Sequence, residues 1–137
     1  MQISANGISL EVEDHGSPNG EPLLLIMGLG MQLVAWHADF VAMLVARGFR
    51  VIRFDNRDIG LSQRYDQLGV PNLALDSIRY ALGMKITGPY TVADMADDTA
   101  GLLDALGIQS AHVCGASMGG MIAQHVAAKH PRRVKSL

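Results

Sequence analysis

Apolar and polar residues alternate along this chain in two periods, and the periods divide it into short segments. Residues 3–5 and 9–12 flank Asn6-Gly7, a pair that tolerates the positive φ angles of a tight β-turn, and so predict a hairpin. A loop over 14–21 carries Gly16, Pro18, Asn19 and Gly20. Residues 23–26 then form a continuous apolar run, the pattern of a strand buried on both faces of a parallel sheet. Residues 36–47 predict a helix with Trp36, Phe40, Met43, Leu44 and Arg47 near helical spacing and Gly48 as its stop. Residues 50–54 predict a second core strand. Between 55 and 89 the chain is irregular, with one short amphipathic helix near 73–82 whose Leu75, Ile78 and Leu82 share a face.

Thr91 caps the next helix, with Asp94 in a capping-box position and Gly107 as its stop; positions 92, 95, 96, 102, 103 and 106 make it one-sided. Residues 110–114 predict a third core strand, 119–130 a last helix stopped by Pro131, and 134–137 a further strand just beginning. Strands alternating with helices predict a three-layer α/β/α architecture with a mostly parallel sheet, in one domain over 1–137. The strands at 23–26, 51–54 and 111–114 should be adjacent and parallel, with 111–114 central. No internal repeat or low-complexity tract interrupts this order.

Composition narrows the function classes. The 137 residues are 49% hydrophobic and 18% charged, a balance that buries a core and opposes disorder. A net charge of -2 leaves no basic excess for nucleic acid or an anionic membrane surface. Lys129, Arg132, Arg133 and Lys135 cluster at a helix C-terminus, where they complement the dipole. One cysteine, Cys114, rules out an internal disulfide, gives no zinc cluster and suits a reducing compartment; it reads as a buried core thiol. The first residues show no secretory pattern, and the longest apolar run, 23–31, is too short to cross a bilayer. A cytoplasmic chain is the expectation.

The segment that carries chemistry is Gly115-Ala116-Ser117-Met118-Gly119, a G-x-S-x-G pattern between a predicted strand and a predicted helix. A strand that turns directly into a helix crowds the positions two before and two after the turn, which fits glycine at 115 and 119. The turn lifts the serine oxygen clear of the sheet and sets it at a helix N-terminus, where negative charge is stabilised. Ser117 should therefore occupy an uncommon backbone conformation at the edge of a cleft.

Together with the hairpin, residues 23–30 and Asp55-Asn56-Arg57-Asp58-Ile59-Gly60-Leu61-Ser62, this motif makes the chain resemble the α/β-hydrolase family over nearly its whole length. Residues 52–62 look most like the esterase branch that includes the aclacinomycin methylesterases. The resemblance implies a serine hydrolase acting on a small-molecule ester through an acyl-enzyme, without a cofactor or metal. It implies Ser117 as nucleophile and the backbone N–H groups of Leu29 and Met118 as oxyanion hole. Family branches with an aspartate nucleophile are disfavoured, because Ser117 stands in that place. Many members carry histidine before the glycine of the oxyanion loop, where this chain has Met27.

The remaining polar residues read structurally. Asp55, Arg57, Asp58 and Ser62 are expected to brace a turn. His15 and His37 are expected to face solvent, and His125 and His130 to lie on the helix behind the elbow. In this fold the acid and then the histidine follow the serine, yet none of the 20 residues after Ser117 is Asp or Glu. The chain therefore reads as the N-terminal half of a hydrolase. A second chain, a cleaved segment or further residues would then supply the rest.

Two rival readings come from other classes. In one, the hydrolase fold binds a ligand and Ser117 is a relic. In the other, Gly28-x-Gly30 after a strand and Asp55 at the end of the next are a dinucleotide-binding fingerprint, although Leu33 replaces the third glycine and a hairpin precedes the strand.

Overall fold

The computed structural model describes residues 1–69, 72–85 and 88–137. Six strands form one sheet: β1 (Gln2–Ala5), β2 (Ile8–His15), β3 (Glu21–Ile26), β4 (Phe49–Phe54), β5 (Ala111–Gly115) and β6 (Val134–Ser136). Their order is β1-β2-β4-β3-β5-β6. The Asn6-Gly7 turn folds β1 onto β2, with both residues at positive φ, and β2 pairs antiparallel with β4. From β4 through β3 and β5 to β6 every pairing is parallel. The three core strands are thus adjacent and parallel as expected. One detail differs, since β3 and not the 111–115 strand is the middle one. The crossover from β3 returns to one side of it and the later crossover to the other, so β5 has β3 and β6 as its neighbours.

The described residues form four α-helices, α1 (Ala38–Ala46), α2 (Leu73–Ala81), α3 (Val92–Ala105) and α4 (Met118–Lys129), of which α1, α3 and α4 pack on the sheet. Strand alternation divides the side chains between two faces. Leu24, Ile26, Ile52, Phe54, Ala111 and Val113 point to the face covered by α3 and α4, where the main core lies. Leu25 and Val51 point to the other face, where Val41 of α1 completes a smaller cluster. Full burial of each such Leu, Ile, Val or Phe side chain contributes about 1.5–3 kcal/mol.

Helix α3 begins with a complete capping box: the Thr91 side chain accepts from the Asp94 N–H, and the Asp94 carboxylate accepts from the Thr91 N–H. The Thr91 hydroxyl, donating to Asp94 Oδ2 at 2.7 Å, and then the Thr91 N–H hold the Asp94 carboxyl below the ordinary aspartate range. One turn further along α3, Asp97 accepts from Lys129 Nζ at 2.5 Å and lies 2.9 Å from His130 Nε2. No helix among the described residues is long and apolar enough to cross a membrane.

Two local expectations are corrected, at α1 and at Cys114, while the helix expected near 73–82 is present as α2. On α1 the buried residue is Val41, with Leu44 and Val45 packed beside it, whereas Phe40 and Met43 are exposed. The helix starts two residues later than the apolar spacing indicates, because Trp36 belongs to the turn before it. On α2 the shared apolar face is uncovered: Leu75, Ile78 and Leu82 are all exposed. Cys114 is exposed rather than buried. It shares a sheet face with Leu25, its partner in register, but α1 packs over β4 and does not extend across β5.

Candidate active site

The parallel strands β3, β4 and β5 end level with one another, Ile26 standing beside both Phe54 and Gly115. The segments that follow them meet at this edge, the usual place for a ligand in an open α/β sheet. Immediately after β5 the chain turns through Ser117 into α4. Ser117 has φ +54° and ψ −122°, a strained conformation for a residue with a side chain. Packing holds it there. The Ala116 N–H donates to the Ile26 carbonyl at 3.0 Å, and the Gly119 and Gly120 N–H groups donate to the Ala116 and Ser117 carbonyls, both at 2.8 Å.

The two glycines of the motif are required by space. A Cβ on Gly119 would lie 2.1 Å from the Ile26 carbonyl oxygen, and one on Gly115 would lie 2.2 Å from the Gly119 carbonyl oxygen. Both obstacles are backbone atoms that cannot swing aside. Gly119→Ala is therefore expected to destabilise the fold by about 1–3 kcal/mol or more. Urea denaturation checks this, and an unchanged midpoint would show that α4 can move off β3.

Ser117 itself is exposed, at the first turn of α4. Among the described residues its hydroxyl has no hydrogen-bond partner, and neither the Met118 N–H nor the Leu29 N–H donates to another protein atom. Met118 is the first residue of α4, so its N–H adds to the positive end of that helix. The segment after β3 lies directly against the serine: a Cβ on Gly28 would be 3.0 Å from Ser117 Cβ and 3.5 Å from its Oγ. Leu29 follows and is 77% exposed.

Residues 55–62 brace this loop, in keeping with the structural reading of Asp55, Arg57, Asp58 and Ser62. Asp55 Oδ1 accepts the Leu33 N–H at 2.7 Å, Oδ2 accepts the Leu61 N–H at 3.0 Å, and the Ser62 hydroxyl donates to the Asp55 carbonyl at 2.6 Å. Gly60 leaves room for this carboxylate, since a Cβ there would fall 2.0 Å from Oδ2. Asp55 is thus occupied by two amides and is not free to hold a ribose. The dinucleotide reading loses its acid.

Arg57 makes two 2.6 Å bonds to the Asp98 carboxylate in α3, and its guanidinium lies 5.4 Å from the centre of the Tyr90 ring. The bonds to Asp98 push the Arg57 pKa above its ordinary value. Asp58 accepts the Tyr65 N–H and the Tyr90 hydroxyl, each at 3.1 Å. Burial, and then this bond, push the Tyr90 phenol up.

Asn56, Asp98 and Tyr90 escaped the sequence reading. A signal existed for Asp98: a carboxylate on the buried face of α3, flanked by Met95, Thr99 and Leu102, needs a cation.

The histidines lie elsewhere. His125 and His130 are on α4, about 12 Å and 20 Å of helix rise beyond Ser117. His130 is engaged by Asp97. His112 is at the start of β5 beside Ser136, and His15 pairs with Glu13 at the end of β2, which lies next to the start of β4. His37 is largely exposed near Asp39, as expected. No group of three or more His, Cys, Asp or Glu among the described residues is arranged to hold a metal.

The chain and its fold are similar to those of known proteins. The alpha/beta hydrolase fold family profile matches residues 21–137. The Rhodomycin D methylesterase DauP of Streptomyces sp. (strain C5) is 36% identical over 135 residues, covering 98% of this chain and 39% of that protein. The putative carbamate hydrolase RutD of Variovorax paradoxus is 35% identical over 128 residues, covering 93% of this chain and 40% of that protein. The crystal structure of the enol-lactonase from Burkholderia xenovorans LB400 superposes with a TM-score of 0.75 at 32% identity, covering 98% of this chain and 44% of that one. The chain therefore spans about two-fifths of the length of these relatives, which include esterases, hydrolases and lactonases. A level edge of parallel strands, a strained serine between strand and helix, and matches that extend over nearly the whole chain have one common explanation: this chain belongs to the α/β-hydrolase fold family.

Proposed function

We propose that the chain carries the nucleophile and the oxyanion hole of a carboxylic-ester hydrolase. Ser117 Oγ attacks the ester carbonyl of a small-molecule substrate and forms an acyl-enzyme. The N–H groups of Met118 and Leu29 stabilise the oxyanion, and the alcohol leaves. Water then releases the acid. The observation that carries this reading is the strained Ser117, exposed at the positive end of α4 with the Gly28 backbone against its side chain. Two preorganised amides of this kind lower the barrier by several kcal/mol. The DauP likeness supports an ester as substrate class, and the enol-lactonase likeness supports attack at an acyl carbonyl.

A serine hydroxyl needs a base held by a third group. The placement of the five histidines supports a base and acid from outside these residues, supplied by a second chain or a further segment. Residues 1–137 alone are therefore expected to show little or no Ser117-dependent hydrolysis of p-nitrophenyl acetate. The same residues completed by the remainder of DauP, fused or added as a second chain, should turn the ester over. Comparable turnover by 1–137 and loss of it in Ser117→Ala would mean that a base lies within this chain.

A binding protein with a relic serine is the second reading, favoured by the same absence of a nearby histidine. Turnover by the completed protein that depends on Ser117 overturns it.

A further inference from the structure

We infer that Asn56 is a positioning residue for the oxyanion hole: its buried carboxamide holds the Met27 carbonyl and through it aims the Leu29 N–H. The inference rests on Ser117 acting as the nucleophile. Asn56 is the second residue after β4 and is 2% exposed. Its Nδ2 donates to the Met27 carbonyl across 2.9 Å, from the end of one parallel strand to the end of the next. A buried carboxamide is kept where it has a bonding partner, and this one reaches into the segment that crosses Ser117.

The geometry of the peptide planes explains why that bond matters. Leu29 sits between Gly28 and Gly30, the latter at φ +69°, so its surroundings permit many backbone directions. The Gly28–Leu29 plane is held by one long bond, from the Met31 N–H to the Gly28 carbonyl at 3.3 Å. In a trans peptide the N–H points opposite to the carbonyl, so this long bond is the direct constraint on the Leu29 N–H, and the plane before it is the next. That preceding plane ends in the Met27 carbonyl, which Asn56 holds. On the far side the next anchor is the Leu33 N–H on Asp55, four residues beyond Leu29. Asn56 is thus the side-chain anchor nearest to the oxyanion donor, and it approaches from the strand opposite the one that delivers Ser117.

The test compares Asn56→Ala and the near-isosteric Asn56→Leu, which removes the donor without opening a cavity. Thr91→Ala serves as a control that weakens α3 without touching the loop. In the 137-residue chain, ¹⁵N relaxation should show the Leu29 order parameter falling from the rigid range near about 0.85 to below about 0.6 in both Asn56 variants. Thr91→Ala should leave it unchanged. In the protein completed with the remainder of DauP, kcat for p-nitrophenyl acetate should fall by about a hundredfold with KM within about twofold, the signature of an interaction made only in the transition state.

A rigid Leu29 amide in both Asn56 variants overturns the inference, as does an unchanged kcat. Turnover that survives Ser117→Ala overturns the nucleophile reading instead, and the positioning role with it. A mobile Leu29 together with a lowered kcat that depends on Ser117 supports both.

Discussion

In a protein that joins residues 1–137 to the later strands, the acid and the histidine of the fold, Ser117→Ala is expected to lower ester turnover by about 10⁴–10⁶-fold. That corresponds to about 5–8 kcal/mol of lost transition-state stabilisation. The fold should be unaffected, because alanine at φ +54° carries the same backbone strain as serine and the hydroxyl has no partner among the described residues. What remains after the substitution is the catalysis that binding and the Met118 and Leu29 amides supply. Steady-state kinetics with p-nitrophenyl acetate checks the magnitude, and the thermal transition checks the fold. A loss of less than about tenfold would mean that another group attacks the carbonyl.

The largest stability effect is expected at Asp98. Its side chain is 2% exposed and accepts two bonds from Arg57, itself 9% exposed, and one from Asn6 Nδ2. Asp98→Ala leaves a buried guanidinium stacked near the Tyr90 ring with no carboxylate bonded to it, and breaking a buried pair from one side costs about 3–5 kcal/mol. Against a typical domain stability of about 5–15 kcal/mol, this is a severe loss. Replacing both partners, as in Arg57→Met with Asp98→Leu, should recover most of it, since no uncompensated charge is then buried. The urea midpoint of the 137-residue chain measures both variants. A single-variant cost below about 1 kcal/mol would place the pair among exposed ion pairs rather than buried ones.

Much of this architecture is legible in the sequence because it depends on short-range signals. Asn6-Gly7 sets the hairpin, Thr91 with Asp94 starts α3, and Gly107 stops it with a φ of +67°. Leu23 to Ile26 reads as a buried strand because both its faces are covered. Gly115 and Gly119 mark the turn around Ser117 for a steric reason that the Ile26 and Gly119 carbonyls make explicit.

The misreadings arise where the answer depends on distant partners. Cys114 alternates correctly for a core position, but the extent of α1 across the sheet decides its exposure. Trp36 packs on the smaller cluster from the turn before α1 and stacks on the exposed Phe40 with ring centres 5.8 Å apart, which gives helical spacing to two residues that do not form one buried helix face. β3 is the middle strand because of how two crossovers are placed, and strand composition does not carry that. Asn56 looks like an ordinary turn residue in the sequence, and only the approach of the Met27 carbonyl gives it a role.

The central claim is that Ser117 is a reactive nucleophile, and labelling by an organophosphonate tests it most directly. The protein completed with the remainder of DauP is treated with a fluorophosphonate, digested and analysed by mass spectrometry. The account predicts one adduct per chain, on the peptide that contains Ser117, formed with loss of fluoride and absent from Ser117→Ala. A protein that hydrolyses esters while its label is found elsewhere, or while Ser117 stays unmodified, would contradict the account.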